Sequence, residues 1–234
     1  MGRIADSFAG SMFLALDTSG PVGSVAVSLG PDVLARGVLT RRAEHASGLL
    51  PTVDEVLEDA GVERTELRGV IVGEGPGSFT GVRVAAATAK GLCRALDLPL
   101  WAVSSLAAAA MAVESGAIRY ALFDARGERV YGACYGVGSA LVQTLVPPHA
   151  GELRDVLDGD VPGGAVFVGE GAEKHSGVIE GAGFEVVRTT GDVSLADGLV
   201  RYMAIHPDAP PVSAVTSWEP RYVRTSSAER LWTT

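Results

Sequence analysis

Gly73-Glu74-Gly75-Pro76-Gly77-Ser78-Phe79-Thr80-Gly81-Val82-Arg83 lies between an apolar run, Gly69-Val70-Ile71-Val72-Gly73, and an alanine-rich segment that continues to Leu96. Four glycines and a proline within eleven residues mark a strand-to-helix turn whose backbone can press closely against something else. Gly75, Gly77 and Gly81 permit positive φ and close approach, Pro76 stiffens the turn, and Thr80 is the expected cap of a helix over Thr80–Leu96. The string is neither familiar phosphate fingerprint: GxGxxG would need glycine at Ser78, and GxxxxGK[ST] would need Gly-Lys before Ser or Thr. From the residues alone the loop, together with Asp17, Thr18, Ser78 and Arg83, has three uses: a plain turn, a contact with another chain, or one wall of a composite nucleotide site.

Working outward, one element order occurs twice. Phe13–Asp17, Ser24–Leu29 and Leu34–Leu39 alternate as a three-stranded meander, with Gly20-Pro21 and Gly30-Pro31-Asp32 as turns. A helix over about 47–60, the strand Gly69–Gly73, the helix Thr80–Leu96 and the strand Leu100–Val103 follow. The second half repeats the order, with strands Tyr120–Asp124, Val130–Tyr135 and Leu141–Val146, a helix near 152–157, a strand 166–169, a helix near 172–180 and a strand 184–187. Both halves open on a strand ending in Asp before a turn, Asp17-Thr18-Ser19-Gly20 and Asp124-Ala125-Arg126-Gly127. The expected class is α/β with duplicated βββαβαβ lobes: a disordered extension over 1–11, one lobe over 12–104, and a second lobe with a tail over 105–234. Ser105–Glu114 connects the lobes, and a helix over Leu195–His206 precedes a proline-rich stretch.

With 234 residues and 47% hydrophobic content, the chain can bury one large or two small cores. A net charge of −9 and a pI near 4.9 disfavour autonomous binding of RNA or DNA, so a nucleic-acid role would need a basic partner. Cys93 and Cys134 read as buried thiols of a reducing cytoplasm. No apolar run has the roughly 20 residues a membrane span needs.

The Gly73–Arg83 string resembles the GxGPGSFTG[VL]R signature of the bacterial TsaB (YeaZ) family. The resemblance extends to LALDTSGPVGSVAV (Leu14–Val27), HASGLLPTVDEVL (His45–Leu57), LPLWAVSSL (Leu98–Leu106) and EPRYVR (Glu219–Arg224). It implies an actin-like, Hsp70-like (ASKHA, ribonuclease H-like) fold. It also implies a non-catalytic subunit that pairs with TsaD to threonylcarbamoylate adenosine 37 in tRNAs reading ANN codons. TsaE would join a larger complex, tRNA would be met only through the complex, and the lone chain would form a homodimer. In that family two helices form a bundle with TsaD, which here implicates Leu49, Leu50, Val53 and Leu57 on the first and Thr80, Val84, Ala85, Thr88, Ala89 and Leu92 on the second.

The second helix supports a binding role independently, because Val82, Val84, Ala85, Ala86, Ala87, Ala89, Leu92, Cys93, Ala95 and Leu96 make it apolar nearly all round. Catalytic groups are scarce. The resemblance places Ser105 and Ala109 where TsaD has metal-binding histidines, and neither is a plausible ligand. His45, His149, His175 and His206 have no ligand spacing, and His45 reads as solvated or as a cap. Ser78 lacks a GxSxG context. With no Lys or Arg within Asp17–Gly20 or Gly73–Phe79 and Glu74 repelling phosphate, no cofactor is expected on this chain alone, and ATP and a metal are expected only in the complex. The alternatives are a degenerate actin-like ATPase or kinase, a scaffold of another pathway, or a protein labelled peptidase M22 glycoprotease-like without its metal site.

Overall fold

The computed structural model describes residues 8–41, 45–189 and 193–223. The first lobe runs β1 (Met12–Asp17), β2 (Gly23–Leu29), β3 (Asp32–Leu39), α1 (His45–Ala60), β4 (Leu67–Gly73), α2 (Phe79–Leu96) and β5 (Leu100–Val103). After α3 (Ser105–Met111), the second lobe runs β6 (Ile118–Asp124), β7 (Arg129–Val137), β8 (Val142–Glu152), α4 (Leu153–Leu157), β9 (Ala165–Val168), α5 (Glu170–Lys174), α6 (Ser176–Gly181) and β10 (Glu185–Val186), before α7 (Leu195–Ile205). Each lobe has a five-stranded sheet, ordered β3-β2-β1-β4-β5 and β10-β9-β6-β7-β8, so the second order read backwards matches the first element for element. The expected duplication is therefore present in the hydrogen-bonded order of the strands.

β1 pairs antiparallel with β2 and parallel with β4, and its residues Phe13–Asp17 are all buried, as a central strand covered on both faces requires. β3, on the edge, alternates exposed and half-buried residues. β8, the equivalent edge of the second sheet, carries Pro147 and Pro148, which cannot donate to another strand and so blunt the edge.

Three layers of core result. Lobe one packs its outer sheet face under α1 and α2 through Leu14, Leu16, Val53, Val70, Ala85 and Ala89. Lobe two does the same under its small helices through Tyr120, Leu122, Phe167 and Ile179. Between the sheets lie α3 and α7, where Leu106–Met111 and Leu199–Met203 meet Phe13, Ile71, Phe123 and Tyr135.

Several expectations are corrected. Residues 8–11 are not a frayed extension: Phe8 is buried and stacks on Phe13 at 4.8 Å, because the sheet's inner face leaves an aromatic surface to cover. Met1–Ser7 lie outside the described residues. The helix expected near 172–180 breaks at His175 into α5 and α6. The residues after 104 do not all serve lobe two, since α7 packs on β1, β2 and β4, and Val212, Val215 and Trp218 pack on lobe one. That tail runs along the β5 edge, with Val212 N–H donating to Leu100 O (2.8 Å) and Trp101 Nε1 donating to Ala209 O (2.8 Å).

Two arginines hold the end of the connecting helix. Arg119, 7% exposed, donates to Ala110 O (2.7 Å), a carbonyl that the helix terminus leaves without a partner, and to Gly116 O (2.8 Å) in the connection to β6. Arg201 donates to Met111 O at 3.2 Å and pairs with the exposed Glu114. Replacing Arg119 with Met orphans buried carbonyls and is expected to lower stability by about 2–3 kcal/mol in denaturant unfolding. Glu114→Ala, which removes only a solvated ion pair, is expected to cost under about 1 kcal/mol.

Candidate functional site

β1 delivers Asp17 into the centre of the molecule, where it is fully buried. Its Oδ1 accepts from Ser19 N–H (2.7 Å) and Ser19 Oγ (2.6 Å), and its Oδ2 accepts from Ser105 Oγ (2.6 Å) at the start of α3. Burial pushes the Asp17 carboxyl above its ordinary range, while the Ser105 and Ser19 hydrogen bonds pull it back. Ser105 also ties down the Gly-rich loop: its Oγ accepts from Gly75 N–H (3.1 Å), and its own N–H donates to Gly75 O (2.8 Å).

The rest of the loop lies on the Asp17 turn. Ser78 N–H donates to Ser19 O (2.8 Å), and Thr18 Oγ1, also fully buried, donates to Gly81 O (2.6 Å). Gly75 alone of the three candidate glycines has positive φ, at +90°. Gly77 and Gly81 are needed for close approach instead: a Cβ on Gly77 would meet Ser19 O at 2.5 Å, and one on Gly81 would collide with Thr18 O. The cap of α2 is Ser78, whose Oγ accepts from Gly81 N–H at 3.4 Å, and Thr80 is already helical and exposed. Thr80 misled because its spacing suits a cap as well as Ser78 does.

The loop continues into a latch made by the chain's own tail. Glu74, 9% exposed, faces Arg221 Nε at 3.3 Å, and Arg221 N–H donates to Glu74 O at 3.2 Å. Burial raises the Glu74 carboxyl above its usual range, and Arg221 works against that. Arg83 Nε donates to Tyr222 Oη (3.0 Å), with its guanidinium 3.8 Å from the Phe79 ring centre. The EPRYVR segment thus reaches the Gly-rich turn through Arg221 and Tyr222, a use its sequence did not disclose, and Arg224 lies outside the described residues.

The second Asp turn is filled differently. Asp124 pairs with Lys174 Nζ at 2.7 Å, His175 Nε2 lies 3.6 Å away, and Asp124 N–H donates to Glu170 Oε1 (2.9 Å). Burial raises the Asp124 carboxyl, but Lys174, the Arg126 N–H and His175 together bring the net direction downward. Between the turns is a cleft of about 600 Å³ lined by Pro21, Val22, Arg36, Phe123 and Glu170. A bound polyphosphate needs backbone N–H groups and cations aimed at it. Here the Ser19 and Asp124 N–H groups are spent on carboxylates, Lys174 on Asp124, and Arg36 on Asp197 (2.9 Å). These residues do not fit a nucleoside polyphosphate.

Other site residues divide by burial. Leu49, Val53, Leu57, Ala85 and Ala89 are inside the core of lobe one, which corrects their reading as partner contacts: α1 and α2 need that stripe for their own sheet. Leu50 is 51% exposed, Thr80, Ala87, Gly91 and Ala95 are exposed, and Val84, Thr88 and Leu92 are half-buried. His45 is buried rather than solvated, and its Nε2 has no hydrogen-bond partner among the described residues. Ser105 and Ala109 are both buried in α3, and among the described residues no group of three or more His, Cys, Asp or Glu converges as a metal site. Cys93 and Cys134 are free and buried, their thiols pushed up by burial to about 12 and about 11.

Ser105→Ala would remove one donor from the Asp17 carboxylate and the acceptor of Gly75 N–H, for an expected loss of about 2–4 kcal/mol. Ser104→Ala, whose hydroxyl meets only Tyr135 Oη (3.4 Å) among the described residues, is expected to lose under about 1 kcal/mol. Equal melting temperatures for the two variants would show that the network does not hold the loop.

Comparison with known proteins adds to this geometry. The family model for TsaD, tRNA N6-adenosine threonylcarbamoyltransferase, matches residues 34–200. The tRNA threonylcarbamoyladenosine biosynthesis protein TsaB of Bacillus subtilis is 30% identical over 230 residues, 94% of this chain and 96% of the relative. YeaZ from Pseudomonas aeruginosa superposes with a TM-score of 0.76 at 28% identity, over 91% of this chain and 99% of that one. The (R)-2-hydroxyglutaryl-CoA dehydratase component A of Acidaminococcus fermentans, at 11% identity and a TM-score of 0.52 over 84% of this chain and 97% of that one, shares the fold. With its strand order duplicated as described, the chain has an actin-like fold and belongs to the TsaB (YeaZ) family.

Proposed function

We propose that the chain is a non-catalytic subunit that pairs with a TsaD homologue in forming threonylcarbamoyladenosine on tRNA. The observation that carries this is the near full-length match to a TsaB protein, on a chain whose two Asp turns are filled by its own side chains. With Asp17 consumed by Ser19 and Ser105, and Ser105 standing where a metal ligand would be needed, the chain offers neither a phosphate grip nor a metal. ATP and a metal then belong to the other subunits, among which we include TsaE, and tRNA is met in the assembly. The degenerate-ATPase alternative finds no support in the cleft.

The partner surface we assign is the outer face of α1 and α2. Thr80, Val84, Ala87, Thr88 and Gly91 form a stripe of small or short side chains at helical spacing, beside Leu50 and Pro51 of α1. Small residues let a second helix approach closely enough for ridges to enter grooves, and the same stripe would pair two copies when the partner is absent. Within the cell we place this assembly in the cytoplasm.

Gly91→Arg discriminates this surface from the core, since a Cβ there meets nothing within 4 Å and the helix gains propensity. The variant is expected to melt like the wild type or slightly higher, yet to lose at least tenfold in affinity for the TsaD homologue and to sediment as a monomer. Ala89→Arg would instead unfold the lobe. In a reconstituted mixture, threonylcarbamoyladenosine measured by mass spectrometry should require this chain and fall with Gly91→Arg. Undiminished modification without this chain would refute the proposal.

A further inference from the structure

Among the described residues the aromatic side chains exposed by more than a third are Phe79 (42%) and Tyr222 (43%), and they lie against each other with ring centres 5.5 Å apart. Arg83 lies over both rings, 3.8 Å from the centre of Phe79 and 5.7 Å from that of Tyr222. Its Nε is committed to Tyr222 Oη, but its two terminal NH2 groups meet no acceptor among the described residues. Arg221 commits Nε to Glu74 and leaves its side chain 83% exposed. Farther along the same face of α2 come Lys90, whose Nζ also donates to Trp218 O (2.9 Å), and Arg94, exposed and without a partner among the described residues. From Arg83 to Arg94 the row extends about 16 Å along the helix.

This strip is unlike its surroundings. The chain carries a net charge of −9, and α1, next to α2, turns Asp54, Glu55, Glu58 and Asp59 outward. Guanidinium groups with unfilled donors beside exposed rings match a phosphate backbone and an unstacked base, the pairing that single-stranded nucleic acid requires. The strip lies beside the small-residue stripe of α2, not in it, so a docked helix partner would leave it at the rim of the assembly.

We infer that Arg83, Arg94 and Arg221, with the rings of Phe79 and Tyr222, contact a single-stranded portion of the tRNA in the assembled complex. The inference rests on the proposed role in tRNA modification. The acidity of the remaining surface explains why the lone chain would not hold RNA: the strip adds cationic contacts to an RNA already bound through other subunits.

The test uses the complex of this chain with the TsaD homologue and an in-vitro transcribed tRNA that reads an ANN codon. Fluorescence anisotropy gives the tRNA affinity over a range of salt, and sedimentation of the same samples gives assembly. Arg94→Glu, at a position whose side chain has no partner among the described residues, is expected to weaken tRNA binding about five- to tenfold and to lower the log–log salt slope by roughly 1, with assembly unchanged and melting lowered only slightly, since Arg94 is the basic residue of the last turn of α2. Tyr222→Ala is expected to weaken binding several-fold with the slope unchanged, because stacking carries no counterion. Unaltered tRNA affinity in both variants would overturn the inference. So would loss of assembly, which would assign the cluster to the protein interface. Absence of tRNA binding by the wild-type complex would remove the parent reading along with it.

Discussion

The buried carboxylate of Asp17 is the constraint on which the rest depends. A charge-bearing group with no exposure must be met by donors, and the chain supplies them from two places far apart in sequence, Ser19 in its own turn and Ser105 at the head of α3. Because Ser105 also pairs with both backbone groups of Gly75, the strand end, the Gly-rich loop and the helix that joins the lobes form one unit. The glycines follow from that contact, since side chains at Gly77 or Gly81 would strike the turn. The start of α2, and with it the outward stripe of small residues, is thereby fixed relative to the core.

The duplicated lobes have lost their symmetry at these turns. In lobe one the Asp is sealed by hydroxyl groups and a glycine-rich cover; in lobe two it is paired with Lys174 while Glu170 occupies its N–H. Both solutions satisfy polar groups that a two-lobed cleft would otherwise aim at a ligand. In the role we propose, these filled central donors leave the outer surface of the chain as the place for function.

Much of this was legible in the sequence. Alternating strands, the Asp-ended turns and the repeated element order gave the two sheets, because period-two patterning and turn residues act locally. The Gly-rich string was legible as a close-contact loop, but its contact was not, since Thr18, Ser19 and Ser105 are ordinary residues whose meeting depends on tertiary placement. The same limit explains α1 and α2: the single apolar face of the one and the nearly all-round apolar surface of the other both look available to a partner, yet Leu49, Val53, Leu57, Ala85 and Ala89 serve the lobe's own core. His45 sits where polar neighbours in sequence argue for solvent, and only its tertiary placement, with the ring close to Gly23 of β2, buries it. The tail carried a quotable motif, but that Arg221 and Tyr222 return to residues 74–83 is a contact across the whole chain.

Amide hydrogen exchange of the lone chain, followed at Ser19, Gly75 and Ser78 with and without ATP and magnesium, tests most directly whether the turns are closed by the protein's own groups. The account predicts protection comparable to the central strands β1 and β4, unchanged by nucleotide. Rapid exchange at these three amides in the free chain, slowed when ATP and magnesium are added, would contradict it and return the Gly-rich loop to the role of a nucleotide site.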